Sequence, residues 1–279
     1  MEKILVTGAS GNLGSAVAKT LANAGFAVVA ASRKPLSSLA KGITWSRFDY
    51  EDLSTYEAAL NGVTKIFLVA PPLDPEAPGK LIPFIDRAKT TKVDHIVFNS
   101  AMGADASEDS PLRKIERQVM NSGINYTILR PTFFMENFST GFIAPMIKAG
   151  GIFLAADSGK TSFITVRDIA DVAKAAFVKG LHHQVFTLTG PEALDHTQVA
   201  QIISKALGKT ITYTPLPEEA MLKSAREHGM PEGAVQYMAM LYQTVRAGGT
   251  SPVTDEVKKT TGHAATSFAE FAQKAFRGA

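Results

Sequence analysis

Near its N-terminus the chain runs from a short apolar stretch straight into a glycine-rich turn. Residues 4–6 read ILV and residues 7–14 read TGASGNLG, with the glycines spaced G-x-x-G-x-x-G. A helical apolar face follows at Val17, Leu21 and Ala24. A strand, tight turn and helix in this order let the backbone approach a pyrophosphate. We predict a dinucleotide site at Gly8, Ala9, Ser10, Gly11, Asn12 and Leu13; an ordinary glycine-rich turn is the alternative.

The end of the second apolar run indicates which dinucleotide binds. Residues 26–31 are continuously apolar, which is typical of a buried parallel strand. A site specific for NAD carries Asp or Glu here, bound to the ribose 2′-hydroxyl. This chain instead has Ser32, Arg33 and Lys34. Two cations and a hydroxyl favour a 2′-phosphate, so we expect NADP(H), with Arg33 as its main contact. A solvated basic turn is the alternative.

Length and composition are those of an enzyme-sized globular domain. The chain has 279 residues, 45% of them hydrophobic, enough for a substantial core. A net charge of +3 without long basic runs gives no indication of nucleic-acid binding. Cysteine is absent, which excludes disulfides and thiolate metal sites. Because the first strand is predicted at residue 3 and no apolar stretch matches a membrane span, we expect a cytoplasmic protein without a membrane partner. The oligomeric state is left open.

Short apolar runs alternate with helical segments along the first half of the chain. Strands are predicted at 3–7, 26–31, 43–47, 65–70, 94–100 and 125–130, and helices near 12–24, 52–60, 79–91 and 110–122. This alternation predicts an α/β fold with a doubly wound parallel sheet, the Rossmann fold. Ligands of such sheets bind at the carboxyl edge. The proline-rich stretch 71–78 is expected there, as a wall of the site or only as a stiff connector.

The rhythm changes after Pro131. We predict a helix at 133–148, strands at 151–155 and 162–165, a helix at 167–179, a strand at 184–188, a helix at 195–207 and a strand at 211–213, followed by helices. The expected organisation is an NADP-binding core at 1–131. Residues 132–279 would form a smaller, mostly helical substrate lobe, with some elements returning to the core.

Three parts of the chain resemble the NmrA-like atypical short-chain dehydrogenases. They are TGASGNLG at 7–14, SGINYTILRP followed by FFMENF between 122 and 138, and FITVRDIA at 163–170. The resemblance extends over nearly the whole chain. It implies the Rossmann fold and the use of NAD(P)H, as in quinone oxidoreductases, triphenylmethane reductases and azo-dye reductases. The family also includes regulators that bind the nucleotide without turnover.

The resemblance also implies positions for the rest of the cofactor site. Arg33 would bind the 2′-phosphate and Asp49 would lie near the adenine, although a turn or helix cap is an equal alternative for Asp49. The nicotinamide end would be flanked by Ala70, Pro71, Pro72, Ser100, Pro131, Thr132 and Phe133.

The usual catalytic pair of short-chain dehydrogenases is missing. That pair is Tyr-x-x-x-Lys, in which the lysine lowers the tyrosine pKa, and no tyrosine of this chain has lysine four residues on. Some relatives carry Lys or His four residues before the glutamate that matches Glu116, where this chain has Leu112. Ser100 and Lys114 stay as catalytic candidates; a strand-end serine and a solvated helix lysine are their alternatives.

Because no general acid is found in the sequence, we favour an acceptor that does not have to be protonated by the protein. A quinone or similar conjugated molecule takes hydride at a delocalised centre and is protonated afterwards by water. Phe133, Phe134 and Phe138 could present a flat apolar surface to it, with Glu136 facing the same pocket. Phe134 and Phe138, four residues apart, are alternatively a core-packing stripe.

We therefore predict an NADPH-dependent oxidoreductase acting on a small-molecule acceptor. An NADP(H)-sensing regulator is the second candidate, and a ketoreductase or isomerase the third.

The remaining polar residues are predicted to be structural. His182 and His183 are adjacent in a turn, which is poor spacing for a metal, and no metal site is expected. His95 begins a strand, and Asp168 with Thr165 is placed to cap a helix.

Overall fold

A parallel sheet forms the centre of the molecule. The computed structural model describes residues 2–277, and within them seven strands form one parallel sheet. These strands are β1 Lys3–Val6, β2 Ala27–Ser32, β3 Ile43–Arg47, β4 Lys65–Val69, β5 His95–Asn99, β6 Asn125–Pro131 and β8 Gln184–Leu188. Their order across the sheet is β3-β2-β1-β4-β5-β6-β8. A separate parallel pair joins β7 Gly151–Leu154 to β9 Thr212–Pro215. The predicted α/β fold with a doubly wound sheet is confirmed.

Helices lie on both faces of the sheet, as a parallel sheet requires. One face is covered by α1 Asn12–Asn23, α6 Val166–Lys179 and α10 Glu256–Thr261. The other is covered by α2 Tyr56–Leu60, α3 Ala77–Lys89 and α4 Pro111–Met120. Alternate strand residues supply the two cores: Ile4 and Phe67 pack towards α1, whereas Leu5 and Leu68 pack towards α3.

A third core belongs to the C-terminal part of the chain. It is built from α5 Ala144–Lys148, β7, α7 His196–Leu207, α8 Glu218–Glu227, α9 Glu232–Arg246 and α11 Phe268–Ala275. Phe138, Phe163 and Phe268 pack edge to face at its centre, with ring centroids 5.3–5.7 Å apart. By contrast, α6, β8 and α10 pack with the sheet, so the chain beyond residue 131 contributes to both regions.

The predicted helix at 133–148 is wrong. Residues 132–134 stay extended, because Thr132 N–H donates to Leu188 and the Phe133 carbonyl accepts from Ile164. A short 3₁₀ turn follows at Met135–Phe138, and α5 begins only at Ala144. Gly141 lies in the intervening turn, where a Cβ would come within 2.7 Å of the Asn137 Cα. The phenylalanine spacing therefore reflects packing in separate places and not one helical face.

The predicted strand at 162–165 is also wrong. The segment is extended, but its backbone groups pair with separate loops: Ser162 N–H donates to Thr250, and Ile164 N–H to Phe133. A continuous ladder does not form, and single bridges occur at Thr161 and Ile164.

His95 is structural, and its burial has a consequence for acid stability. Its side chain is 1% exposed, and Nε2–H donates to the Thr127 hydroxyl at 2.9 Å, since that hydroxyl itself donates to Leu181. Burial, reinforced by His182 and Lys65, lowers the His95 pKa from 6.5 to about 3. His95 therefore binds a proton near pH 6.5 in the unfolded chain but only near pH 3 in the folded chain.

We expect His95 to lower the free energy of unfolding by about 1.4 kcal/mol for each pH unit below the pKa that this histidine has in the unfolded chain. Urea unfolding across that range measures the slope. His95→Gln, which keeps an N–H donor, should reduce the slope. Equal slopes in the parent and His95→Gln would contradict the assignment.

Candidate functional site

The predicted nucleotide loop lies at the point where the sheet reverses its strand order. β1 and β4 are neighbours, and the chain continues from them towards opposite edges. This arrangement opens a crevice outside the carboxyl ends of the two strands, where ligands of doubly wound sheets bind. Gly8 follows β1 with φ +63°, a left-handed conformation that favours glycine. A Cβ on Gly8 would lie 3.6 Å from Val69 Cβ, at the end of β4.

The glycine loop folds tightly against its own helix. Gly11 N–H donates to the Gly8 carbonyl at 3.0 Å, and Ala9 N–H ties the loop to Ala31 of β2. A Cβ on Gly14 would collide with the Gly8 carbonyl oxygen, so this position requires glycine. A Cβ on Gly11 would meet that oxygen at 3.4 Å and otherwise face open space. The second glycine therefore leaves its outer side open to a ligand.

The first turn of α1 is open to an anion. Gly11 is its N-cap without a side-chain cap, and no acidic residue lies in the first turn. The N–H groups of Asn12 and Leu13 have no partner within residues 2–277. These free donors, the positive end of the helix dipole and the glycine loop together fit a pyrophosphate. The Asn12 amide donates to Thr140 Oγ1 at 2.9 Å, which links the loop to the segment after Phe138.

The basic turn after β2 is more ordered than its sequence indicates. Ser32 Oγ donates to the Lys34 carbonyl at 2.7 Å and accepts the indole N–H of Trp45 at 3.0 Å. Its one hydrogen is therefore used within the turn. Arg33 and Lys34 are exposed, and neither forms an ion pair with any residue from 2 to 277. Two unpaired cations thus lie at the carboxyl end of β2, where a 2′-phosphate is expected.

Asp49 follows β3 and holds a turn. Its Oδ1 accepts Glu51 N–H at 3.1 Å, in agreement with the turn alternative, although the carboxylate remains partly exposed. The neighbouring Tyr50 donates its hydroxyl proton to the Val69 carbonyl at 2.9 Å. Burial raises the pKa of Tyr50 above its ordinary value of 10.0, against the hydrogen bond with Thr7. The Tyr50 phenol is therefore a poor acid.

The segment after β4 reaches the C-terminal region. Ala70 and Pro71 are partly buried beside the crevice, and Pro72 is exposed. Further along, a Cβ on Gly233 would lie 2.9 Å from Pro75 Cγ, so the proline-rich loop contacts the start of α9. The proline-rich loop is therefore packed against the C-terminal region at this point.

A buried ionic network lies behind Ser100. Glu116 is 0% exposed and accepts Ser100 Oγ–H at 2.7 Å, Arg130 at 2.7–2.8 Å and Arg113 at 3.0 Å. Arg130 also pairs with Asp105. Burial alone would raise the Glu116 pKa, but Arg130, Ser100 and Arg113 outweigh it and lower the pKa. Since the hydroxyl hydrogen of Ser100 is donated to Glu116, Ser100 has no proton directed at a substrate.

The three phenylalanines do not form one surface, which corrects the sequence prediction. Phe133 is partly buried against the C-terminal core, and its ring centroid lies 6.2 Å from that of Tyr242. Phe134 packs instead against the core between the sheet and helices α1 and α6. Phe138 is 0% exposed within the C-terminal core and cannot face an acceptor. Phe133 and Phe134 are both partly exposed, and Phe133 is the one that packs against the C-terminal core.

Glu136 has a partner that the sequence did not indicate. Its Oε2 accepts Val166 N–H at 3.0 Å and so caps α6 beside Thr165. Burial and the charge of Asp168 raise the Glu136 pKa, while its backbone hydrogen bonds act in the opposite direction. Pro131 and Thr132, by contrast, are buried at the end of β6, and the Thr132 hydroxyl donates to Ser162 at 2.5 Å.

The other titratable candidates lie close to partner residues or at the opposite edge of the sheet. Lys114 is half exposed on α4, 3.8 Å from Asp109. Tyr126 and His95 lie at the amino ends of β6 and β5, opposite the glycine loop. Thr165 Oγ accepts Asp168 N–H, as predicted for a cap, while the Asp168 carboxylate binds Thr266. Within residues 2–277, no group of three or more His, Asp or Glu side chains is placed to bind a metal.

Asn99 and Trp45 are two residues near the site that were not predicted from the sequence. Asn99 ends β5 and is 8% exposed, and its Oδ1 has no partner among the described residues. Trp45 joins the basic turn from a neighbouring strand. For Asn99 the available signal is a polar residue ending an apolar strand; for Trp45 the sequence contains no signal, because the contact depends on strand register.

The fold and site agree with the comparisons to known proteins. The NmrA-like family model matches residues 1–272, and the chain belongs to this family. The NAD(P)H azoreductase of Xenophilus azovorans is 34% identical over 280 residues, covering 97% of this chain and 96% of that protein. Quinone oxidoreductase 2 of Escherichia coli K12 is 31% identical over 278 residues, covering 96% of both.

A solved structure is similar over the same length. The NADPH-dependent quinone oxidoreductase of Escherichia coli, crystallised with NADPH, has a TM-score of 0.84 and 29% identity, covering 98% of this chain and 100% of that one. Within residues 2–277, no helix has both the length and the apolar character needed to cross a membrane.

Proposed function

We propose that this chain uses NADPH to reduce a quinone or a similar conjugated acceptor. The chain is an NAD(P)H-dependent oxidoreductase of the NmrA-like family. The observation that carries the finer proposal is an open pyrophosphate cradle together with the hydroxyl groups of Tyr50 and Ser100, which already donate their hydrogens within the protein. Tyr50 donates to Val69 and Ser100 to Glu116, so neither offers a proton to a substrate.

The residues of the chain act by binding and orienting. The first turn of α1 would hold the pyrophosphate, and Arg33 would bind the 2′-phosphate. When bound, NADPH supplies a hydride from C4 of the nicotinamide, and one proton from water completes the reduction of a quinone to a hydroquinone. Phe133 offers a partly exposed apolar face at the expected nicotinamide end. The proline-rich loop contacts the start of α9 at Pro75 and Gly233.

We further propose that the C-terminal core forms the acceptor side of the crevice. Its elements reach the loop side at two places, Thr140 on Asn12 and Gly233 against Pro75. In this division residues 1–131 hold the cofactor, and α6, β8 and α10 are the elements that return to the sheet.

Acceptor-dependent oxidation of NADPH tests the proposal. A panel of quinones, azo dyes and simple ketones, assayed with the purified protein, should give turnover with the conjugated acceptors and not with the ketones. Tight NADPH binding without oxidation by any acceptor would favour the sensor function instead. Turnover restricted to ketones would favour a ketoreductase.

Arg33→Ala is expected to remove most of the preference for NADPH over NADH. One charge-assisted hydrogen-bond pair contributes about 1.5–3 kcal/mol, which corresponds to about 10- to 100-fold in affinity. Isothermal titration with both nucleotides measures the two dissociation constants. Arg47→Ala is a matched control, because Arg47 is exposed but paired with Asp52. Equal affinities of the parent protein for NADPH and NADH would contradict the assignment.

Substitution of the remaining acids is expected to leave most of the quinone-reducing activity. Loss of a true general acid costs about 10²- to 10⁴-fold, so the two outcomes are well separated. The variants are Tyr50→Phe, Tyr126→Phe, Lys114→Ala and Glu136→Gln, assayed at saturating NADPH. Glu136→Gln is the sharpest of them, because the Glu136 pKa is raised by burial. A hundredfold lower kcat in one variant, with NADPH binding intact, would identify an acid in the protein.

A further inference from the structure

The one tryptophan of the chain lies beside the basic turn. Trp45 is on β3, the edge strand of the sheet, and pairs in register with Ala30 of β2. Two residues on, Arg47 pairs with Ser32, so the side chains of Trp45 and Ser32 lie on the same face of neighbouring strands. The Trp45 indole N–H donates to Ser32 Oγ at 3.0 Å. The edge strand thereby reaches the turn that carries Arg33 and Lys34.

Ser32 connects Trp45 to the backbone of the basic turn through a second hydrogen bond. Its side chain is buried, with the residue 7% exposed, and its hydroxyl donates to the Lys34 carbonyl at 2.7 Å. The hydrogen bonds from Trp45 to Ser32 and from Ser32 to Lys34 form a chain across Arg33. Because a hydroxyl has a single hydrogen, the bond from Trp45 fixes the oxygen while the hydrogen points at Lys34. The backbone on both sides of Arg33 is therefore held in place.

We infer that Trp45 is a positioning residue for the discrimination of NADPH from NADH. The inference rests on the proposed function, in which Arg33 binds the 2′-phosphate. A planar guanidinium recognises phosphate through two parallel hydrogen bonds, and this geometry depends on where its backbone is held. Ordering the turn before the ligand arrives lowers the entropy lost on binding. NADH has no phosphate at this position and gains nothing from the ordered turn.

The test is a titration calorimetry measurement of both nucleotides with Trp45→Phe. Phenylalanine keeps an aromatic ring on the edge strand and removes the N–H donor. We expect the dissociation constant for NADPH to rise about 3- to 10-fold, the loss of one net hydrogen bond, with that for NADH unchanged. Ser46→Ala is the matched control: Ser46 is the next residue on β3, on the opposite face, and should alter neither constant.

A second variant keeps the test decisive if Trp45→Phe folds poorly. Ser32→Ala removes the same chain of hydrogen bonds and should lower the NADPH preference, and the double variant should be no worse than Ser32→Ala alone. Equal weakening of both nucleotides by Trp45→Phe, or an unchanged preference in both variants, would overturn the inference. Arg33→Ala separates the two claims: if it removes the preference while Trp45→Phe does not, only the positioning role fails. If Arg33→Ala has no effect, the proposed 2′-phosphate site fails.

Discussion

Gly11→Val is expected to abolish binding of both NADPH and NADH without unfolding the protein. Gly11 has φ −89° and ψ 170°, an extended conformation that valine adopts without strain. The nearest protein atom to an added Cβ is the Gly8 carbonyl oxygen at 3.4 Å, and the rest of the side chain would occupy the space that the pyrophosphate needs. The affinity should fall by about 100-fold or more, or ~2.7 kcal/mol.

Titration calorimetry and a melting curve on the same variant measure the two effects separately. Gly14→Ala is an instructive contrast, because its Cβ would collide with the backbone of the loop and should lower the melting temperature as well as the affinity. Micromolar binding retained by folded Gly11→Val would place the nucleotide elsewhere.

Glu116→Gln is expected to cost the largest amount of folding stability among single charge removals. The Glu116 carboxylate is fully buried and accepts hydrogen bonds from Ser100, Arg113 and Arg130. Neutralising it leaves the Arg130 guanidinium with the partly exposed Asp105 as its remaining charged partner, and breaking a buried ion pair costs about 3–5 kcal/mol. Urea unfolding at neutral pH measures the loss. Glu108→Gln is the matched control, because Glu108 also pairs with Arg113 but is exposed, and it should have little effect.

The same carboxylate should make the protein less stable in acid. The folded pKa of Glu116 lies below its ordinary value of 4.5, so the unfolded chain binds the proton first as the pH falls. The Glu116 carboxylate contributes its full stabilisation above its unfolded pKa of 4.5. This contribution is lost as the pH falls through the lower folded pKa. Glu116→Gln should therefore show a shallower acid dependence than the parent. An identical dependence would show that the ionic network does not distinguish the folded from the unfolded state.

The parallel sheet was predictable because its signals are local. Apolar runs mark the strands, and the glycine spacing identifies the turn between β1 and α1. The segment after Pro131 was not predictable in the same way. Phe134 and Phe138 have helical spacing, yet the backbone of residues 132–134 pairs with Leu188 and Ile164, and this long-range pairing outweighs the local pattern. Gly141 then turns the chain before α5.

In the candidate site, too, the features with local sequence signals were predictable and those that depend on long-range contacts were not. The glycine loop and the basic turn follow from residue types at fixed distances along the chain. The partners of Ser32, Ser100 and Glu136 do not, because Trp45, Glu116 and Val166 come from other elements. Those partners decide which side chains remain free for a ligand. A sequence therefore indicates where a nucleotide binds more readily than which hydroxyl or carboxyl group has a proton to give.

Single-turnover oxidation of bound NADPH by a quinone tests the central claim most directly. The protein with one equivalent of NADPH is mixed rapidly with quinone, and the nicotinamide absorbance is followed in water and in D₂O, with and without deuterium at C4. We predict a rate that rises with quinone concentration, slows severalfold with deuterium at C4 and changes little in D₂O. Oxidation no faster than that of free NADPH would contradict hydride transfer by this protein. A large D₂O effect abolished by a single side-chain substitution would contradict reduction without a protein acid.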